Sequence, residues 1–143
     1  MSQKNNIRIF LDSDVIFAAF CSPGEPSSAI LERFLKGELT VVLSQQILDE
    51  VIQTVKEKLP GALPLFRKFF ISSLPQIVKN PSPAEISYWS QYIISQNASV
   101  LAAAVAAEPD FFVTTDQRFF ENPEIVEKSG LHIVTPARLL VLL

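Results

Sequence analysis

The sequence predicts an α/β fold, one domain over residues 1–143, built as a parallel sheet with helices on both faces. Three observations predict it. Short apolar runs at residues 7–11, 39–43, 111–114 and 131–134 are bounded by polar residues, as buried parallel strands are. Helix-period segments separate those runs and supply the crossovers that parallel neighbours need. The 143 residues, 48% apolar and 19% charged, are enough for one hydrophobic core.

The elements follow in order. Ile7-Arg8-Ile9-Phe10-Leu11 reads as the first strand. Ser27 or Ser28 can cap a helix running to Lys36, with Gly37 at its end. Leu39-Thr40-Val41-Val42-Leu43 reads as the second strand, and Ser44 caps a helix to Leu59, stopped by Pro60-Gly61. Ile47, Leu48, Val51, Ile52, Val55 and Leu59 form one apolar face of that helix. Residues 62–73, with Phe66, Phe69 and Phe70, read as a further helix, and Ile77-Val78 as a short strand. Ser82-Pro83-Ala84-Glu85 is a capping box with proline at the first helical position, opening a helix to Gln96. Asn97 begins an alanine-rich helix suited to close packing on a sheet, which Glu108-Pro109 stops. Residues 111–114 and 131–134 are the last strands, and Thr135-Pro136 opens a terminal helix.

Composition narrows the function. No apolar run reaches the ~20 residues that span a bilayer, so no membrane role is expected. The polar start, Met1-Ser2-Gln3-Lys4-Asn5-Asn6, and a single cysteine, Cys21, predict a cytoplasmic protein. A net charge of -3 argues against coating nucleic acid by bulk electrostatics. It leaves room for a nuclease, since bound cations restore local positive charge. Lys56, Lys58, Arg67, Lys68 and Arg118 are available for phosphate.

Two aspartates, Asp12 and Asp116, each follow an apolar run. Ligands of open α/β sheets bind outside the carboxyl ends of the strands, so these carboxylates can share one crevice. Carboxylates gathered there repel unless a cation lies between them, and hard oxygens favour Mg²⁺ or Mn²⁺. Strand alternation points Asp12 and Asp14 the same way, with Ser13 opposite. Asp49 and Glu50 flank the apolar face of their helix almost symmetrically, and periodicity does not choose between them. The plain alternatives are a helix cap for Asp14, an N-cap for Asn97, an Asx-turn for Asp116 and a turn for Asp110. Cys21 and His132 lack catalytic partners, and Trp89, Phe69-Phe70 and Phe119-Phe120 are read as packing residues.

Taken in order, these segments resemble the PIN-domain family, across nearly the whole chain. Ile9-Phe-Leu-Asp-Ser-Asp-Val-Ile-Phe-Ala-Ala19 is similar to its opening strand, with the Asp-(Ser/Thr)-(Asn/Asp) signature. Leu43-Ser-Gln-Gln-Ile-Leu-Asp-Glu-Val51 resembles its second block, which ends in an inward glutamate. Asn97–Ala107 and Pro109-Asp-Phe-Phe-Val-Thr-Thr-Asp116 resemble the third and fourth blocks, and Ile133-Val-Thr-Pro136 the closing strand. The resemblance implies a PIN-like fold and Mg²⁺- or Mn²⁺-dependent cleavage of RNA. It assigns the metal to Asp12, Glu50 and Asp116, selecting Glu50 over Asp49, with Asn97 as a fourth site residue and Asp14, Ser44 and Thr114 beside them. Many prokaryotic members of this size are toxins paired with an antitoxin protein, and they pair as homodimers. The chain departs from the family in having Asn97 where aspartate is usual, which removes a negative charge from the site. Two other readings compete: a catalytically degraded PIN fold that binds RNA or protein, and a phosphatase using Asp12 as nucleophile and Asp14 as acid.

Overall fold

The computed structural model describes residues 6–73 and 75–143; the polar start, residues 1–5, lies outside them. Five strands form one sheet: β1 (Ile7–Leu11), β2 (Leu39–Ser44), β3 (Gln76–Val78), β4 (Phe111–Val113) and β5 (Ile133–Val134). Every pairing is parallel and the order is β3-β2-β1-β4-β5. The chain therefore starts in the middle, builds β2 and β3 to one side, then returns to add β4 and β5 on the other. With right-handed crossovers, that reversal puts the connecting helices on opposite faces. It also opens a crevice at the carboxyl ends of β1 and β4, where the direction of winding switches.

Between β1 and β2 lie α1 (Ser13–Cys21) and α2 (Pro26–Leu35); between β2 and β3 lie α3 (Gln45–Lys58), a 3-10 turn (Pro60–Ala62) and α4 (Leu63–Ser73). Helices α5 (Pro83–Trp89) and α6 (Ser95–Ala107) lead to β4, α7 (Arg118–Glu121) and α8 (Pro123–Ser129) to β5, and α9 (Pro136–Leu142) follows it. Ile9, Phe10, Leu11, Val41, Val42, Leu43, Phe112 and Val113 are all buried, so the central strands are covered on both faces. Every residue of α6 from Asn97 to Ala104 is buried, and its alanines let the helix lie close against its neighbours. Phe112 stands edge-on to Phe10 at 5.7 Å and to Phe119 at 4.9 Å between ring centroids, tying β4 to β1 and α7.

Several boundaries differ from the sequence reading. Helix α2 begins at Pro26 with Glu25 as its cap residue, and Ser27 is buried inside the first turn rather than capping it. The helix opened by the Ser82–Glu85 capping box ends at Trp89 instead of Gln96, because Trp89 and its successors fold into a turn held by bonds from Tyr92 N and Ile93 N to Trp89 O. Asn97 does not open the alanine-rich helix. That helix starts at Ser95 and carries Asn97 inside its first turn, with a side chain engaged elsewhere, so the N-cap reading is wrong. Helices α7 and α8 were not read from sequence; each is too short to display a period. The many phenylalanines of the sequence and the pairing habit of the resembled family predict a homodimer surface that includes residues 66–71, but Phe66 is buried, and Phe69 and Phe70 are half-buried in an aromatic cluster with Phe20 and Phe66. Of the Phe66–Ile71 segment's large apolar side chains, only Ile71 is well exposed. Trp89 and Phe119 are buried as packing residues, whereas Phe120 is partly exposed. No helix among the described residues is long and apolar enough to cross a membrane.

Candidate metal centre

The crevice at the switch point holds a cleft of about 650 Å³. Asp12, Ser13 and Asp14 line it from the end of β1, Asp49, Glu50, Gln53 and Thr54 from α3, Asn97 and Val100 from α6, and Asp116 and Arg118 from the segment after β4. Four separate elements thus deliver Asp12, Asp14, Glu50, Asn97 and Asp116, five of the residues that the sequence reading placed at the site.

Asp12 is the first residue beyond β1 and the N-cap of α1. Its Oδ1 accepts from Ser13 N at 2.8 Å, and its Oδ2 accepts from the Thr114 hydroxyl at 2.7 Å. The carboxylate is nearly buried, and burial together with the negative charges of Asp14 and Asp116 pushes its pKa up to about 7, against those two hydrogen bonds. Thr114 is fully buried; its hydroxyl donates to Asp12 and accepts from Asp116 N at 3.0 Å, locking the two acids to one side chain. Asp14 belongs to the first turn of α1 rather than to a continued strand, so the alternation argument does not apply, and Ser13 also borders the cleft. Asp14 still reaches it, accepting from Val15 N and from the Thr115 hydroxyl.

Glu50 and Asp49 both border the cleft, so position alone leaves the pair undivided. Their surroundings differ. Asp49 is exposed and accepts from Gln45, whereas Glu50 is half-buried and accepts from Gln46 Nε2 at 3.2 Å. The Ser99 hydroxyl donates to Gln46 Oε1, which turns the amide N–H toward Glu50. Gln46 and Ser99 were not read as site residues; the i,i+4 spacing of Gln46 and Glu50 was the available signal. Ser44 is not among the residues lining the cleft; it is buried, and its hydroxyl caps α3 by accepting from Ile47 N.

Asp116 is an Asx-turn residue and a cleft residue at once. Its Oδ1 accepts from Arg118 N at 3.0 Å, which is the turn. The Arg118 guanidinium grips both oxygens, Nε to Oδ1 at 3.0 Å and Nη2 to Oδ2 at 2.9 Å, and Asn97 Nδ2 donates to Oδ2 at 2.8 Å. The Arg118 hydrogen bond, more than any other influence, holds the Asp116 carboxyl below its usual range. Asn97, buried beside it, is therefore tied to the site and not to the helix end.

Among the described residues, no group of three or more His, Cys, Asp or Glu side chains is drawn close enough to hold an ion as it stands. The donor set nonetheless fits Mg²⁺ or Mn²⁺: hard oxygens from Asp12, Asp14, Glu50 and Asp116 line one cleft, and Asp12 is buried among charges that a cation would offset. Asp110 stands apart, exchanging bonds with the main chain of Arg8. Cys21 is a half-buried free thiol, and His132 is exposed against the Phe111 ring.

No protein-family model matches the sequence, and no curated protein matches it in sequence. Solved structures do match in shape. PAE2754 from Pyrobaculum aerophilum superposes with a TM-score of 0.65 at 12% identity, covering 97% of this chain and 96% of that one. A toxin–antitoxin complex from Klebsiella pneumoniae contains a chain with a TM-score of 0.62 at 16% identity, covering 90% and 97%. FitAcB from Neisseria gonorrhoeae gives 0.62 at 20% identity, covering 90% and 98%. The chain has the PIN-like fold. At these identities the likeness is one of architecture, and the chemistry of the cleft has to be argued from its own residues.

Proposed function

We infer that this chain is a metal-dependent ribonuclease, the toxin half of a toxin–antitoxin pair. One observation carries the reading: Asp12, Glu50, Asn97 and Asp116, drawn from four elements, line a single cleft at the switch point of the sheet. The PIN-like fold shared with the Klebsiella pneumoniae toxin–antitoxin complex supports the pairing with a protein antitoxin.

Asp12, Glu50 and Asp116 would hold the ion, with the Asn97 side-chain oxygen as a neutral donor. A bound Mg²⁺ or Mn²⁺ would lower the pKa of a water and offset charge on the phosphate. Thr114 aims the Asp12 carboxylate, and Gln46, oriented by Ser99, aims that of Glu50. Asn97 keeps Asp116 turned into the cleft. Single-stranded RNA should be cut in Mn²⁺ by the wild type and not by Asp12→Asn, Glu50→Gln or Asp116→Asn. Uncut RNA with well-folded wild type would refute the reading. Self-association as a homodimer belongs to the same proposal; exposed Leu65, Ile71 and Val141 offer apolar surface for it.

The degraded-site reading rests on Asn97, which spends its amide N–H on Asp116 where the family usually has a carboxylate. Binding of RNA without cleavage, unaffected by Asp12→Asn, would favour it.

A further inference from the structure

The acceptor capacity of Asp116 is full. A carboxylate offers about four lone-pair directions. Four donors take them: the Arg118 main-chain N–H and Nε at Oδ1, and Arg118 Nη2 and Asn97 Nδ2 at Oδ2. Any cation that reaches Asp116 has to displace one. The main-chain N–H is fixed by the turn, and Asn97 is buried within α6. The guanidinium is different: its side chain is 52% exposed and stands on a helix of four residues. It can leave by rotating into solvent, without moving the backbone. The same group lines the cleft beside Asp12 and Glu50. Its planar fork fits a phosphate as well as a carboxylate, but the Nε and Nη2 it would use are the two atoms now on Asp116.

We propose that Arg118 is the resident counter-cation of Asp116, displaced by the divalent ion, and that the freed guanidinium then grips a phosphate of the RNA. Charge neutralisation of Asp116 passes from one cation to the other, and metal loading switches Arg118 from a self-contact to a substrate contact. This rests on the ribonuclease reading and adds an order of events to it.

Calorimetric titration with Mn²⁺ of metal-free wild type, Arg118→Ala, Arg118→Lys and Asp12→Asn tests the first half. Arg118→Ala should bind Mn²⁺ about five- to tenfold more tightly, because a bidentate competitor and a nearby positive charge are gone. Arg118→Lys, keeping the charge without the fork, should fall between. A 2′-O-methyl RNA oligonucleotide, bound in saturating Mn²⁺ and not cleaved, tests the second. Arg118→Ala should bind it about tenfold more weakly, with a salt dependence shallower by about one phosphate contact. Mn²⁺ affinity that is unchanged or lower in Arg118→Ala, while Asp12→Asn loses binding, overturns the exchange and leaves the nuclease reading standing. RNA affinity unchanged in Arg118→Ala overturns the second half. No Mn²⁺ binding by wild type overturns the nuclease reading and the exchange with it.

Discussion

Asp12→Asn should make the metal-free protein more stable at alkaline pH. The Asp12 carboxyl has a pKa of about 7 in the folded protein against an ordinary value of 3.8, chiefly because burial penalises its charge. Between those values the folded protein holds a proton that the unfolded chain has released. Stability therefore falls as pH rises through this window and levels off above about pH 7. At about 1.4 kcal/mol for each tenfold step, the ionised, metal-free form carries a penalty of about 4 kcal/mol. Asparagine has nearly the same shape and no charge, and its side-chain oxygen can still accept from Ser13 N, as Oδ1 does now. Urea unfolding in EDTA at pH 5 and pH 8 should show the variant gaining on the wild type by about 2–3 kcal/mol between the two. With Mn²⁺ present the order should reverse, since only the wild type gains binding free energy. A difference between the two proteins that stays constant with pH would refute the argument, because it would mean Asp12 is already ionised at pH 5.

Three further outcomes follow from the same contacts. Thr114→Val should cost about 2–4 kcal/mol in chemical denaturation, since it strips a hydrogen bond from buried Asp12 and leaves Asp116 N without its acceptor; a cost under about 1 kcal/mol would contradict the placement of that hydroxyl. Asn97→Asp should lower the Tm of the metal-free protein by setting a second carboxylate against Asp116, yet tighten Mn²⁺ binding about tenfold; equal affinities by calorimetry would remove Asn97 from the metal site. Phe112→Ala should destabilise by about 3–5 kcal/mol, read by urea unfolding, because a fully buried ring wedged between Phe10 and Phe119 has no room to be replaced by collapse.

The amino-acid sequence by itself determined the parallel α/β class, all five strands within a residue or two, and the capping box at Ser82–Glu85. Those features are local: an apolar run, a proline, a serine three residues before a glutamate. The same holds for Asp12 and Asp116, whose positions after apolar runs marked them before any pairing was known. What only the tertiary structure decided is non-local. Strand order is not written in any one segment, yet it is the return from β3 past β1 to β4 that brings Asp12 beside Asp116. Asn97 looked like a cap because asparagine favours that place; the helix starts two residues earlier, and the side chain is held instead by Asp116, nineteen residues away. Asp14 failed the alternation argument because the chain turns helical at Ser13, where the Asp12 side chain caps it. Glu50 and Asp49 are equivalent on an isolated helix. They become different only when α6 brings Ser99 to orient Gln46, and a hydrogen bond between side chains fifty-three residues apart leaves no trace in the period of either helix.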